Sequence, residues 1–404
     1  MSIARRASPS VTALAWFGAA TGAGCGASDR RSEPAYPRNL QPRLDALIKD
    51  MRIPAAVVVL RSSQLGDWSA TFGHRTADGT EPVRLANHFR IASNTKTITG
   101  TLILQLIQEE ELRLDDPVSK YRPEVPNGAN ITIEQLLTMR SGLFNYTESP
   151  DWKRAVGENH RRVWTPEELV ALGLAHPPYF PPGQGFHYSN TNTVLLGLII
   201  EQLTGQPLER VMQERIFDRL ELKNTSMPAR TSNVIPDPHA RGYIFGQMKE
   251  FIAGKQLRPE QVADAKAGIF KPTDVTDTNP SMAWAAGNVI STADDFARYV
   301  KALVAGGLLD AQLQQRRLDS LQPADPADPT GMRYGFQMQT FGPMIGHSGE
   351  IPGFGSMGYH DPKRDLTMVV WTTVSGSPDG RDTVAEIGKA IIDELYRGSP
   401  QDPD

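Results

Sequence analysis

The chain has 404 residues, of which 39% are hydrophobic and 22% charged, a composition typical of a globular protein with one large or two smaller domains. Its 46 acidic and 42 basic residues give a net charge of −4, which argues against a nucleic-acid-binding protein because such proteins usually carry a basic excess. A mean hydropathy of −0.36 excludes a polytopic membrane protein, and the single cysteine, Cys25, excludes an intrachain disulfide or a cysteine zinc site.

The N-terminal segment is typical of an export signal. Arg5 and Arg6 precede an apolar run over residues 11–23, which is shorter than the roughly 20 residues that span a bilayer and fits the hydrophobic region of a signal peptide. The small residues before Cys25 resemble a bacterial lipoprotein signal, although Gly22 stands where an aliphatic residue is usual. We therefore expect Cys25 to be lipidated.

The favoured interpretation assigns residues 1–24 to the signal peptide and residues 25–42, which are rich in Pro and charge, to a tether. It places the protein in the periplasm or on the outer face of the cell membrane. Two alternatives stay open: a simple cleavable signal with an incidental cysteine, and a disordered cytoplasmic extension.

Strand patterns begin after residue 53. The β-branched run over 54–60 predicts a buried strand, and residues 67–73 suit a paired return strand. Apolar residues at helical spacing then predict a helix over 93–111.

The middle of the chain, from 112 to about 280, has few strand signals. Residues 233–280 are polar and weakly periodic, which indicates a long excursion or lid. Short helices are predicted at 133–139, at 166–174, and at 191–204 with Gly205 as its end.

Strand signals return after a helix predicted over 294–305. The expected strands are 334–340, 353–360 and 366–374, and residues 383–396 form an amphipathic helix.

Strands at both ends and helices between them indicate one sheet built from the two ends of the chain. We therefore predict an α/β sheet domain from residues 43–111 and 282–398. A helical domain over 112–281, with the excursion at 233–280, is inserted into it.

The first candidate for chemistry is Ser93-Asn94-Thr95-Lys96 at the start of a predicted helix. Residues i and i+3 share a helix face, so Lys96 would lie beside the Ser93 hydroxyl and, if buried, could act as its base. The helix N-terminus would favour a developing oxyanion. Taken alone, the motif also fits a helix-capping serine with an exposed lysine.

The second candidate is Tyr188-Ser189-Asn190, which lies between the forced turn at 181–183 and the helix at 191–204. A tyrosine can relay a proton, and an asparagine amide can hold an acyl amide or the lysine. Asn190 could equally cap the following helix.

The third candidate is His347-Ser348-Gly349, followed by Glu350, beside a predicted strand. A cation or donor, a hydroxyl and a glycine make a sheet edge that a substrate backbone can approach closely. A glycine-rich turn with a satisfied histidine is the alternative.

Together, the three motifs resemble those of the penicillin-recognising serine hydrolases: class C β-lactamases, DD-carboxypeptidases and family VIII-type esterases. Ser-x-x-Lys, Tyr-x-Asn and His-Ser-Gly occur in that family's order, and residues 136–143 and 182–192 match as well. The resemblance covers about residues 40–396. It implies a β-lactamase/transpeptidase-like α/β (α+β) fold, with a five-stranded antiparallel sheet flanked by helices and an all-helical domain.

The resemblance also implies a role for each motif residue. Ser93 would form an acyl-enzyme with Lys96 as its base, and Tyr188 would pass the proton to the leaving group. Asn190 would bind the acyl amide and Lys96, and His347 would support the proton network electrostatically. Substrate binding involves three further residues, Ser348, Gly349 and Glu350. The oxyanion hole would use the backbone N–H groups of Ser93 and Glu350.

Two departures bear on the substrate. Ser348 replaces the commoner threonine but keeps the hydroxyl. A peptidase that removes a C-terminal D-alanine must bind a carboxylate, yet residues 334–346 contain no Arg or Lys, and Arg333 lies just outside. This absence favours an esterase or general amidase over a DD-carboxypeptidase.

We therefore predict an exported or membrane-anchored serine hydrolase that acts on an ester or amide, with a D-amino-acid peptide or a β-lactam among the candidate substrates. A non-catalytic penicillin-binding or sensor protein on the same scaffold is the alternative. No metal and no cofactor are implied, since no His-Glu-x-x-His motif occurs. The expected partners are a small-molecule or peptide acyl substrate, with no nucleic acid, and a membrane reached through Cys25; the oligomeric state stays open.

Overall fold

The structure is a computed structural model that describes residues 36–397 of the chain. The predicted signal peptide over 1–24 and the predicted lipidation site at Cys25 lie outside this range. Within it, no helix is both long and apolar enough to cross a membrane.

The helices are α1 Pro37–Asp50, α2 Thr95–Gln108, α3 Ile133–Leu137, α4 Pro150–Glu158, α5 Pro166–Leu174, α6 Asn190–Thr204, α7 Leu208–Met212, α8 Met248–Ile252, α9 Pro259–Lys266, α10 Ala293–Ala305, α11 Ala311–Asp319 and α12 Thr383–Leu395. The strands are β1 Ala55–Ser62, β2 Trp68–Gly73, β3 Phe89–Arg90, β4 Tyr243–Ile244, β5 Thr273–Asp274, β6 Ile290–Ser291, β7 Gln322–Pro323, β8 Arg333–Tyr334, β9 Gln339–Phe341, β10 Met344–Ile351, β11 Phe354–Asp361 and β12 Leu366–Thr372.

The main sheet joins both ends of the chain in the order β2-β1-β12-β11-β10-β9-β8-β7 and is antiparallel throughout. It has eight strands, so the expected number of five is wrong, although the fold class is confirmed. Five strands have six to eight residues each, and β7, β8 and β9, with two or three residues each, extend the sheet at one edge.

The strand expected over 334–340 is interrupted because the chain turns into the core between β8 and β9. Gln337 has a positive φ of 57° and is fully buried. Its backbone N–H and side-chain amide donate to the carbonyl of Leu137, and the amide also reaches Leu136. Part of the segment 334–340, which we predicted as a strand, therefore fills the core instead.

Helices cover both faces of the sheet. Successive side chains of β1 show this, because they belong alternately to two different hydrophobic cores. Val57 and Val59 belong to the core on the side of α2 and α10, whereas Val58 and Leu60 belong to the core under α1 and α12. Since successive side chains of a strand point to opposite faces, a continuous apolar run is what a sheet between two helical layers requires.

Helix α1 begins at Pro37, inside the segment 25–42 that we predicted as a tether. Proline is favoured in a first helical turn, and Leu40, Leu44 and Ile48 bury one face of the helix against the sheet. Residues 37–42 are therefore part of a helix that packs on the sheet and not part of a tether. The helical spacing of Leu40, Leu44 and Ile48 in the sequence is the pattern that indicates this helix.

The middle of the chain is mainly helical, as predicted, and α6 ends at Gly205 in the left-handed conformation. The excursion over 233–280 is ordered: it contains α8, α9 and a small sheet of β4 and β5. All described residues fall in one compact unit, so the boundaries between a sheet domain and a helical domain stay a prediction.

Candidate active site

Ser93 lies in a tight helical turn, Ala92–Asn94, directly before α2. The side chain of Asn94 donates to the carbonyl of Ile91 at 3.2 Å and to the hydroxyl of Ser356 on β11 at 2.9 Å. Ser356 in turn donates to the same carbonyl at 2.7 Å. These three buried hydrogen bonds fix the turn that carries Ser93 to the central sheet.

The strand β10 approaches this turn more closely than a side chain would allow. A Cβ atom on Gly349 would lie 2.6 Å from the Ile91 carbonyl oxygen and 2.7 Å from the Ser93 nitrogen. Ala92 has a φ of 48°, a region that L residues rarely adopt. Glycine at 349 and a strained Ala92 together bring the strand edge beside Ser93.

The same edge is open to a ligand. Pairing of β10 with β9 ends at Gly346, so in the described part of the chain residues 347–351 have no strand partner on that side. The backbone N–H groups of Ser93 and Glu350, which border this opening, stay the predicted oxyanion donors. The third motif therefore lies within a strand rather than beside one.

Lys96 lies on the first turn of α2 and is fully buried. Its Nζ is 3.0 Å from Ser93 Oγ and donates to the Ala286 carbonyl at 2.9 Å. Burial holds the pKa of Lys96 well below its ordinary value, and no carboxylate in the described range is bonded to it. A neutral amine has a free lone pair, which can accept the Ser93 proton.

Tyr188 precedes α6 and faces both residues. Burial raises the pKa of its phenol, opposed by a hydrogen bond with Ser93, and its ring lies 4.9 Å from Lys96 Nζ. The phenol is therefore protonated near neutral pH, and it can donate a proton where a leaving group departs.

His347 is a neutral imidazole. Of the two expectations for this position, a cation or a hydrogen-bond donor, the structure supports the donor. Burial is the main cause that lowers its pKa to about 3. Its Nδ1 bonds the Ser348 carbonyl, which can only accept, so this nitrogen carries the proton. Its Nε2, 3.3 Å from the Tyr334 hydroxyl, is then the acceptor.

Asn190 does not bond Lys96, contrary to the role that the resemblance implied. Its amide nitrogen donates to Asn145 Oδ1 at 3.2 Å and to Thr147 Oγ1 at 3.4 Å. Its backbone N–H donates to the same Asn145 oxygen at 3.1 Å. Asn190 still lines the cleft, where its amide can meet a ligand.

Sequence reasoning missed three residues of this network: Tyr334, Asn145 and Thr147. Tyr334 lies at a strand end, where a polar aromatic residue is common, and no spacing links it to His347. Asn145 and Thr147 occupy a turn remote in sequence from Asn190. No local sequence signal distinguishes them from other turn and strand residues.

The three motifs meet at one cleft of about 390 Å³ next to Ser93. Its charged lining residues are Glu350 and Asp382, and no Lys or Arg side chain borders it among the described residues. The remaining lining residues are polar or small: Ser93, Asn145, Thr147, Tyr188, Asn190, Gln339, His347, Ser348, Gly349, Gly355, Val374, Ser375, Gly376, Thr383 and Val384.

Glu350 is the titratable group of this cleft whose charge is most sensitive to conditions. Desolvation by the surrounding protein is the largest cause that raises the pKa of its carboxyl to about 7, and the negative charge of Asp382 is the second. The side chain remains open to water, so screening weakens the energetic consequence of that shift. Asp382 caps α12 by accepting from the backbone N–H groups of Val384 and Ala385.

Arg333 does not supply the carboxylate-binding cation that a DD-carboxypeptidase needs. Its guanidinium donates to the Leu321 carbonyl at 2.7 Å, and the residue does not line the cleft. Within residues 36–397, no three His, Cys, Asp or Glu side chains come together as a metal site requires.

Comparison with known proteins gives one family and several relatives. The model of the family described as Beta-lactamase matches residues 40–390. Protein flp of Staphylococcus aureus is 33% identical over 195 residues, which are 46% of this chain and 38% of that protein. The chain thus spans well under half the length of this curated relative.

Two solved structures are similar over most of the chain. A D-stereospecific amidohydrolase from Streptomyces sp. has a TM-score of 0.74 and 30% identity, covering 89% of this chain and 98% of that one. A D-amino acid amidase from Ochrobactrum anthropi SV3 has a TM-score of 0.71 and 25% identity, with the same coverage.

The close contact at Gly349 generates a test of the site geometry. Gly349→Ala should push β10 away from Ser93 and lower kcat/KM for any acyl donor by about 10²-fold, the order of effect of losing one oxyanion donor. Gly205→Ala is the control, since the φ of 65° at Gly205 disfavours alanine and lowers stability, whereas its Cβ has open space and lies away from the cleft. Equal activity of both variants would contradict the assignment.

Proposed function

The chain belongs to the beta-lactamase family and is a serine hydrolase of that fold, and we propose that it hydrolyses amides or esters of amino acids that carry a free amino group. The reaction proceeds through an acyl-enzyme on Ser93. The pairing of the Ser93 hydroxyl with the buried amine of Lys96, at 3.0 Å and with a pKa lowered by burial, is the observation that carries this proposal.

Acylation follows from the protonation states of the site. Lys96 takes the proton of Ser93 as Oγ bonds to the carbonyl carbon, and the oxyanion accepts from the N–H groups of Ser93 and Glu350. Collapse of this intermediate breaks the bond to the leaving group. Tyr188 donates its proton to that group and regains one from Lys96, so the charges balance.

Deacylation reverses the same path with water in place of the leaving group. As the oxygen of a water molecule attacks the acyl carbon, Tyr188 accepts a proton from that water and passes its own proton to Lys96; Lys96 then returns a proton to Ser93 Oγ as its bond to the acyl carbon breaks. His347 stays neutral throughout and accepts a hydrogen bond from the Tyr334 hydroxyl. The ring of Tyr334 packs edge-on against that of Tyr188, with ring centroids 6.0 Å apart.

The charges of the cleft favour a substrate with an amino group. Glu350 and Asp382 attract a cation, and without a lining Lys or Arg a free carboxylate would be repelled. This argues for an amide or ester over a peptide with a free C-terminus. The names of the two similar solved structures, a D-stereospecific amidohydrolase and a D-amino acid amidase, support D-amino-acid amides as the substrate class.

An acyl-trapping experiment tests the nucleophile and base. Intact-protein mass spectrometry after incubation with D-phenylalanine amide and with p-nitrophenyl acetate, alongside product assays, should show turnover that Ser93→Ala abolishes. Lys96→Met, which keeps an unbranched side chain of similar length, should slow acylation by about 10²–10⁴-fold.

Penicillin serves as the third compound in this experiment. A stable adduct on Ser93 without turnover of any donor would favour the non-catalytic penicillin-binding protein. Neither adduct nor turnover with any donor would contradict the enzyme assignment altogether, and unchanged acylation in Lys96→Met would refute the assigned base.

Glu350 gives a pH-dependent test of amine recognition. A carboxyl with a pKa of about 7 is neutral below that pH and charged above it, so the KM for D-phenylalanine amide should fall between pH 6 and pH 8. Glu350→Gln should raise KM at pH 8 by about 10-fold, because a charge-assisted hydrogen bond is lost.

The matched control for Glu350 is N-acetyl-D-phenylalanine amide, which has no cation. The substrate amine titrates equally in both enzymes, so the difference between wild type and variant isolates Glu350. If Glu350→Gln changes KM equally for the free and the acetylated amide, the amine-binding role is wrong.

We also propose that the protein is exported and anchored through a lipid on Cys25, on the strength of the sequence at residues 1–25. Metabolic labelling with a palmitate analogue should mark the wild type and not Cys25→Ala. Equal labelling of both proteins, or labelling of neither, would refute the anchor.

A further inference from the structure

A second recess, of about 210 Å³, also borders Ser93, and its lining differs in chemistry from that of the acidic cleft. Its lining is largely apolar, with Trp152, Phe251, Ile252, Met282 and Ile351 among the contributing side chains. We propose that this recess holds the side chain of the acyl group, and that the excursion over 233–280 is the element that selects a hydrophobic one. This inference rests on the proposed acyl-enzyme at Ser93.

The position of Tyr188 determines which arm of the substrate enters which space. Tyr188 lines the acidic cleft and not the apolar recess. Because Tyr188 delivers the proton to the leaving group, the leaving group lies in the acidic cleft. The substituent on the other side of the attacked carbonyl then faces the apolar recess.

The floor of the recess is part of the catalytic machinery. Ala286 lines it, and its carbonyl accepts the hydrogen bond from Lys96 at 2.9 Å. Glu350 lines both spaces, so an amino group on the substrate can meet its carboxylate while the neighbouring side chain enters the recess.

Helix α8 of the excursion supplies one wall of the recess through Phe251 and Ile252. The helix packs closely on α4, where a Cβ on Gly157 would lie 3.0 Å from the Cα of Lys249. Trp152 of α4 forms the adjoining wall and is 7% exposed. Its buried indole N–H has no hydrogen-bond partner within the described residues.

The base of the excursion is tied to the nucleophile. Arg90, three residues before Ser93, is buried, and its guanidinium donates to the carbonyls of Asn233 at 2.8 Å and Thr278 at 3.4 Å. These two carbonyls lie at the two ends of the excursion. The wall formed by α8 is therefore held in a fixed relation to Ser93, as discrimination between acyl groups requires.

The test measures kcat/KM for p-nitrophenyl acetate, butyrate and hexanoate, neutral donors that bypass recognition of an amine. Ala283→Leu should fill the recess and lower the hexanoate-to-acetate ratio at least 10-fold, the scale on which apolar pockets discriminate by size. Phe251→Ala should enlarge it and shift the preference towards longer acyl chains, raising the same ratio.

Ile269→Ala is the control, since Ile269 is on the same excursion, is 72% exposed and does not line the recess. It should keep the wild-type ratio. The two variants act in opposite directions, so a general loss of folding cannot imitate both results. Unchanged ratios in both, with turnover intact, would overturn the role of the excursion, whereas absence of turnover in the wild type would overturn the proposed function instead.

Discussion

The site depends on one constraint, which is the burial of the Lys96 amine without an acidic partner in the described structure. Transfer of an ammonium group into a protein interior costs several kcal/mol unless a charge compensates it, so burial lowers the pKa of the amine and favours its neutral form. Helix α2 is buried along nearly its whole length, from Thr95 to Leu106. The helices and the sheet that surround α2 therefore provide the burial that would allow Lys96 to act as a base.

Burial has to be accompanied by hydrogen bonds, because α2 contains four threonines. Thr97 donates to the Asn94 carbonyl, Thr99 to Ala285 and Thr101 to Thr97, each at 2.7 Å. The Thr95 hydroxyl accepts from the backbone N–H of Val289 at 3.1 Å. These bonds satisfy the threonine hydroxyls without a carboxylate, and the charged group that reaches Thr101, the guanidinium of Arg317, is a cation. None of these partners therefore favours a protonated Lys96.

The two spaces beside Ser93 divide the work of recognition by their chemistry. Among the described residues, no Lys or Arg lines the acidic cleft between β10 and the start of α12, and residues of the excursion form one wall of the apolar recess. Ser93 lies where they meet, pinned by Asn94 and Ser356 and crowded by Gly349. In the proposed reaction, charge on one side and apolar surface on the other would give a substrate one orientation in which its carbonyl reaches Ser93.

The sequence alone determined the three motifs, their order and most helices and strands, because spacing, periodicity and turn residues are local properties. The resemblance of the three motifs to those of a known family then implied that Ser93, Lys96, Tyr188 and His347 share one site. The tertiary structure decided what depends on remote segments: that His347 is neutral, that Asn190 bonds Asn145 instead of Lys96, and that Tyr334 completes the network. The tertiary structure also places Phe251 and Ile252 of the excursion in the wall of the recess beside Ser93. Protonation and hydrogen-bond partners depend on burial by distant parts of the chain, which no local pattern records.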